Sequence, residues 1–238
     1  MSATSRLGAI GVLATVLSAC SVNGARIALP SDLAANVERL DVTGMGGARK
    51  GRFQFAGTQG TFSRGADRVS IMDPLLVSYS GGGAFDLAAS EAGPPLSGRC
   101  AYGERKINVG VIRVTPNRFS YFCEISSSGA PSGRLMIHDT SGALGSLNGR
   151  SEREGTFDYG NQRLVVRSIH RLEGSPLPVP APLGYMFLAD GQQVGAVDLN
   201  GPRKTILAPR SPEFREAVIA ASLALSILWD PADVQHDY

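Results

Sequence analysis

The sequence predicts a mainly β protein, an antiparallel barrel of about 12 short strands closed around a hydrophobic C-terminal helix. Three features lead there. The 238 residues include 29 glycines and 14 prolines, which suits many short strands joined by turns. Segments rich in Val, Ile, Phe and Tyr, bounded by turn residues, recur from Asn36 to Pro209. Finally, Phe214–Trp229 is apolar all round: from Ala217 to Trp229 no residue is charged and only Ser222 and Ser226 are polar. Such a helix needs neighbours in every direction, and strands dominate what precedes it. The alternative is a β-sandwich with the helix packed on one face.

The chain is 43% hydrophobic and 18% charged, ordinary for a globular protein. A net charge of +2 gives no whole-protein attraction to nucleic acid. Met1–Ala19 has one cation, Arg6, then the apolar stretch Leu7–Val16 and small residues, the pattern of an export signal rather than a membrane span. Leu17-Ser18-Ala19-Cys20 resembles the lipobox of bacterial lipoproteins. That resemblance implies cleavage before Cys20 and a diacylglycerol thioether on its sulfur, with residues 20–35 as a lipidated tether. Two or three acyl chains hold a protein firmly to a bilayer. Ser21 follows where an Asp would resemble an inner-membrane retention signal. The expectation is therefore an outer-membrane lipoprotein of a bacterial envelope, facing the periplasm.

Cys100 and Cys123 are then an even pair in an oxidising compartment, and a disulfide is expected. A simple meander of Gly98–Gly103, Ile107–Val114 and Arg118–Ile125 puts them on its two outer strands, roughly 10 Å apart, whereas a bridge needs Cα atoms within ~7 Å. Either the first segment leaves that meander or the thiols stay free. Neither cysteine forms a metal cluster with His138, His170 or His236, so no metal and no cofactor is expected.

Residues 36–230 read as one domain. Strands are expected at Asn36–Thr43 and at Lys50–Ala56, where Phe53 and Phe55 alternate with Arg52 and Gln54. Gly57–Gly60 turns the latter into Thr61–Arg64. Arg68–Met72 and Leu75–Ser80 flank Asp73-Pro74. Ser80–Gly83 lacks the Lys-Ser or Lys-Thr of a phosphate loop and reads as a flexible turn. Thr115-Pro116-Asn117 reads as a hairpin turn between Ile107–Val114 and Arg118–Ile125. Arg134–Asp139 is a strand and Ser141–Glu154 a loop. Gly155–Tyr159 and Arg163–Arg171 pair around Gly160-Asn161. The connector Gly174–Pro182 carries four prolines. Gly184–Ala189, Gln192–Leu199 and Arg203–Ala208 form two hairpins with type I′ turns at Asp190-Gly191 and Asn200-Gly201. The helix spans about 212–229, with Ser211 as N-cap and Pro212 in its first turn. Asp230-Pro231 ends it, and 231–238 is a tail.

Gly184-Tyr185-Met186-Phe187, Asp190–Val197 and Ala217–Trp229 together resemble the tubby C-terminal-like superfamily, which includes LURP-one-related proteins and phospholipid scramblases. The resemblance covers about the last 60 residues and implies a closed antiparallel barrel around a terminal apolar helix. No basic phosphoinositide site is matched, so headgroup binding is carried to no residue.

The search for chemistry is sparse. No Gly-x-Ser-x-Gly elbow occurs, and His138-Asp139 point to opposite faces of one strand. Asp158 with Glu173 is a weak candidate for glycoside cleavage. Arg49, Lys50 and Arg52, with Arg203, Lys204 and Arg210, form a candidate basic surface for lipid phosphates. No catalytic or cofactor-binding residue is assigned. The expected function is a non-enzymatic, structural or partner-binding role at the membrane, with a lipid-binding or lipid-sensing module, or an enzyme with a noncanonical site, as alternatives. The partner is the bilayer through Cys20, with an envelope protein or lipid beyond it, and no nucleic acid.

Overall fold

The computed structural model describes residues 25–71, 76–109, 112–141 and 151–229. The expected signal segment, Cys20, the expected turn at Asp73-Pro74, most of the expected loop Ser141–Glu154 and the tail lie outside the described residues. A short helix, α1 (Ser31–Asn36), precedes β1 (Val37–Thr43), β2 (Lys50–Phe55), β3 (Thr58–Ile71), β4 (Leu76–Leu87), β5 (Leu96–Val109) and β6 (Ile112–Ser127). There follow β7 (Ala130–Asp139), β8 (Arg153–Tyr159), β9 (Gln162–Ile169), β10 (Gly184–Ala189), β11 (Gln192–Asp198), β12 (Lys204–Pro209) and the terminal helix α2 (Arg215–Ser226). Each strand pairs antiparallel with the next, and β1 pairs with β12, so the sheet closes as a barrel of twelve strands. The sandwich alternative is thereby excluded. Closure gives each strand a neighbour on both sides over the height that all twelve share.

Up-and-down order puts every odd-to-even connection at one end of the barrel, here the upper end, and every even-to-odd connection at the lower. Helix α2 follows β12, so it enters from below and runs upward through the lumen. A twelve-stranded barrel is too wide for its own side chains to fill, whereas a helix about 10 Å across fits. Residues Ala217–Ile227 are all buried, among inward-facing Phe53, Phe55, Phe85, Phe119, Phe157, Leu164 and Phe187. Burial of the helix's larger apolar side chains contributes on the order of 10 kcal/mol before ordering entropy is subtracted. The wall lets the helix approach where it carries no side chain: a Cβ on Gly195 would stand 2.7 Å from Val218 Cγ1.

A second, smaller cluster lies outside the barrel. Ile27, Leu33, Val37, Ile169, Ala196 and Leu207 pack together, so the segment from Ala25 through α1 runs down the outer wall before β1 turns up into it. Much of the predicted tether is thus attached to the domain.

Several expectations need correction. Strand β6 runs unbroken through Thr115-Pro116-Asn117, with pairing irregularities between Gly103 and Ile107 on β5. A proline is tolerated in a strand at such a bulge. With no hairpin there, the first segment is not two strands from the third. Cys100 and Cys123 are direct cross-strand partners, bridged, with Cα atoms 4.1 Å apart. Ser80–Gly83 is no turn but the middle of β4, where glycine is needed for close packing: a Cβ on Gly81 would stand 2.2 Å from the Gly65 carbonyl oxygen. The turn after β2 is Ala56-Gly57, both with positive φ, and β3 already begins at Thr58. Residues 199–203 form a longer loop than a type I′ pair, because β12 starts only at Lys204. Arg153 and Glu154 belong to β8 rather than to the preceding loop. Helix α2 starts at Arg215, since residues 211–214 form turns, with Phe214 at the N-cap and Ser211 Oγ only 3.5 Å from the Glu213 N–H.

Candidate functional site

At the lower end, Arg215 pairs with Glu38 of β1 at 2.6 Å. Glu216, in the first turn of α2, accepts hydrogen bonds from Tyr159 of β8 and from Ser127 Oγ of β6. A carboxylate there also faces the positive end of the helix dipole. Burial, together with the Glu216 hydrogen bond, pushes the Tyr159 phenol up to about 12. Midway, the Tyr121 hydroxyl of β6 donates to the Ala224 carbonyl at 2.6 Å. Burial, with Tyr185 adjoining, raises the Tyr121 phenol well above its ordinary range. These contacts fix α2 in the lumen.

Above the helix end the inward side chains become polar. Arg153 of β8 is buried, its guanidinium 3.8 Å from the Phe119 ring centre and its Nη1 donating to the Tyr185 hydroxyl at 3.2 Å. Cation–π contact and a phenol keep that charge solvated away from water. Ser168 of β9 accepts from the Arg153 N–H at 2.9 Å, and its Oγ lies 2.9 Å from His170 Nε2. His170 Nδ1 lies 3.0 Å from the Val179 carbonyl oxygen. With Nδ1–H donating to that carbonyl, Nε2 accepts the serine proton, the geometry of a nucleophile and its base. A backbone carbonyl stands where a triad has a carboxylate, and His170 is buried. Sequence reading missed this pair, although residues two apart on a strand share a face. Its other effect is to fasten the proline-rich connector to β9.

The six candidate cations do not form one surface. Arg49 and Lys50 lie at the upper end, and Arg49 stands 6.0 Å from the Trp229 ring centre. Arg64, not singled out from the sequence, flanks the same ring at 5.2 Å and donates to the carbonyls of Met45, Gly46 and Ala48. Its partial burial lowers its pKa. Arg52 shares a rung with Thr61 and Asp86 and lines with them a shallow, open depression of about 600 Å³. Arg203 pairs with Asp41 at 3.5 Å, and Lys204 Nζ donates to the Leu199 and Gly201 carbonyls. Arg210 is at the lower end, its N–H bonded to the Asn36 carbonyl.

Nor do the candidate catalytic pairs meet. His138 is exposed, while the Asp139 carboxylate accepts from the Ser141 N–H and Ser151 Oγ. Asp158, at the lower end of β8, pairs with Arg163, and Glu173 is on an upper connection. Among the described residues no group of three or more His, Cys, Asp or Glu could hold a metal ion, and no helix is long and apolar enough to cross a membrane.

The outer wall carries the remaining feature. Ala101, Phe122, Met136, Thr156 and Val165 form one outward rung across β5–β9, with Phe122 and Met136 both exposed. The rung below contains Arg99, Glu124, Arg134, Asp158 and Arg163, and the one above Ser120, His138, Glu154 and Arg167. A lipid-facing barrel wall carries a continuous apolar band instead. On β5–β9 the apolar rung is flanked by charged ones.

Compared with protein-family models, with curated proteins and with solved structures, the chain matches none.

Proposed function

We propose that this protein is a lipid-anchored component of the bacterial envelope, held at the outer membrane through Cys20, and that it works by contact rather than by catalysis. The observation that carries the reading is the filled lumen. Residues 217–227 of the helix region are buried from end to end, so substrate has no interior to enter, and function falls to the rims and outer wall. The Cys100–Cys123 bridge supports an oxidising compartment such as the periplasm. The exposed Phe122–Met136 pair, flanked by charged rungs, supports a protein partner on the wall. The plugged, closed barrel also supports the resemblance to the tubby C-terminal-like superfamily, and with it a lipid-sensing role as the second reading.

The test has two arms. Palmitate labelling in cells should be lost in Cys20→Ala. A photo-crosslinker at Met136 should give a discrete protein adduct that one at Asp190, on a lower turn, does not. A fluorophosphonate probe that labelled the chain, with labelling lost in Ser168→Ala, would overturn the non-catalytic reading in favour of an enzyme built on Ser168 and His170.

A further inference from the structure

We propose that the outer wall of β5–β8 pairs with the same wall of a second copy of this chain, about a two-fold axis running along the strands between β6 and β7. This rests on the wall-contact reading above and names its partner.

The face is complementary to itself. Outward side chains recur at every second residue of a strand, so outward rungs stand about 6.8 Å apart. On the apolar rung Phe122 of β6 lies beside Met136 of β7, 36% and 53% exposed. The rung below carries Arg99, Glu124, Arg134 and Asp158 on β5, β6, β7 and β8 in turn, all four exposed. Its charges alternate: plus, minus, plus, minus. A two-fold along the strands reverses that order from side to side and keeps the height. Glu124 then faces Arg134 of the second copy and Arg99 faces its Asp158, each contact occurring twice. One rung up, Phe122 meets Met136 of the second copy, a thioether against an aromatic ring, again twice.

Charge also selects the axis. A two-fold laid across the strands, along the apolar rung, would set the lower rung against the upper. Asp158 would then face Glu154 of the second copy, and Arg163 its Arg167. Like charges set face to face suppress a pairing.

Within one copy these charges are not already spent. Arg99 and Glu124 are register partners, yet among the described residues neither makes an ion pair, and nor does Arg134. The Arg134 guanidinium instead stands 5.7 Å from the Phe122 ring centre, at the edge of the apolar pair. Asp158 pairs with Arg163 at 3.5 Å, but both are exposed and such a pair is weak.

The same axis suits a chain held at one end. It leaves both upper ends on one side of the pair, and there Asn200, in the β11–β12 connection, donates to the Ala25 carbonyl. Both N-terminal segments can therefore reach one bilayer. The contact is small: four strands by three rungs is roughly 19 by 20 Å of wall, about half of what each partner buries in a standard interface. Such a pair forms where anchoring concentrates the copies, not in dilute solution.

The test keeps the full chain in cells. Two copies with different tags are co-expressed, one of them with a photo-crosslinker at Met136, and irradiation should give an adduct holding both tags. Glu124→Arg in both copies sets cation against cation at two places, and Arg134→Glu in both sets acid against acid. Each should cut that adduct by about tenfold or more. With Glu124→Arg in one copy and Arg134→Glu in the other, opposite charges face each other at both places, and the adduct should return. A defect within one chain would not be cured by a change in another. A two-tag adduct that ignores the charge reversals overturns this pairing, as does a mixed pair that fails to recover it. A discrete adduct with a different protein overturns self-pairing and leaves the wall-contact reading standing. Absence of any adduct from position 136 overturns both.

Discussion

The Tyr121 hydroxyl of β6 donates to the Ala224 carbonyl of α2 across 2.6 Å, linking the barrel wall to its plug near the helix's last turn. Both groups are buried, so neither exchanges this bond for water. Tyr121→Phe removes the donor and leaves the carbonyl short of a partner in an apolar setting. Urea unfolding of the variant should report a loss of about 1–2 kcal/mol with an unchanged slope. An unchanged midpoint would mean this hydrogen bond adds nothing to the hold on the helix.

The bridge between Cys100 and Cys123 spans 23 residues of sequence across two adjacent strands. Closing such a loop in the unfolded chain stabilises the native state by about 3 kcal/mol on the chain-entropy account. The double variant Cys100→Ser with Cys123→Ser should therefore melt well below wild type while keeping its β spectrum. Reduction should need denaturant, because both sulfurs sit in the core. Ready reduction of the folded protein by mild thiol would contradict that placement.

The bridge itself was expected from the even cysteine pair, but the strand arrangement around it was misread, which indicates what a sequence of this kind can and cannot convey. All-round apolarity from Ala217 to Trp229 demanded a surrounding wall, and the helix lies there, so the plug was legible. Thr115-Pro116-Asn117 has turn chemistry, yet the chain uses it inside a long strand, because irregular pairing on β5 absorbs the missing N–H. That single local misreading moved two cysteines from direct partners to the far edges of a meander. Ser80–Gly83 was likewise opaque: whether glycine means freedom or close packing depends on the Gly65 backbone and the Tyr102 ring, which the local sequence does not contain. Ser168 and His170 have readable spacing, but the orienting carbonyl of Val179 comes from the connector and is set by its path.

Burial of Tyr159, together with its hydrogen bond to Glu216, makes stability depend on alkaline pH. The phenol's ordinary value is 10.0, and in the folded protein it is pushed up to about 12. Between these values the native state keeps a proton that the unfolded chain has released, so its contribution is complete below pH 10 and is lost as pH rises through 12. Tyr121 acts in the same direction. The informative quantity is therefore the difference between wild type and Tyr159→Phe. Urea midpoints followed from about pH 9 to pH 12 should fall less steeply in the variant. Parallel curves would show that Tyr159 titrates as it does in the unfolded chain.

Asp198 holds the N-terminal segment onto the barrel. Its two carboxylate oxygens accept from the Ile27 N–H at 3.1 Å and from the Asn200 N–H at 2.9 Å. Asn200 in turn reaches the Ala25 carbonyl at 2.6 Å. Burial raises the Asp198 pKa despite those bonds, a sign that the carboxylate is kept in a costly position. Asp198→Ala removes the acceptor of the Ile27 N–H and loosens the loop that presents Asn200. The Ile27–Leu33–Val37 cluster below should persist, because it is apolar and independent of that charge. Trypsin should then cut after Arg26 markedly faster than in wild type, with the remaining barrel uncut and its melting temperature lowered by only a few degrees, the equivalent of about 1 kcal/mol. Equal cutting rates would assign the hold on this segment to apolar packing.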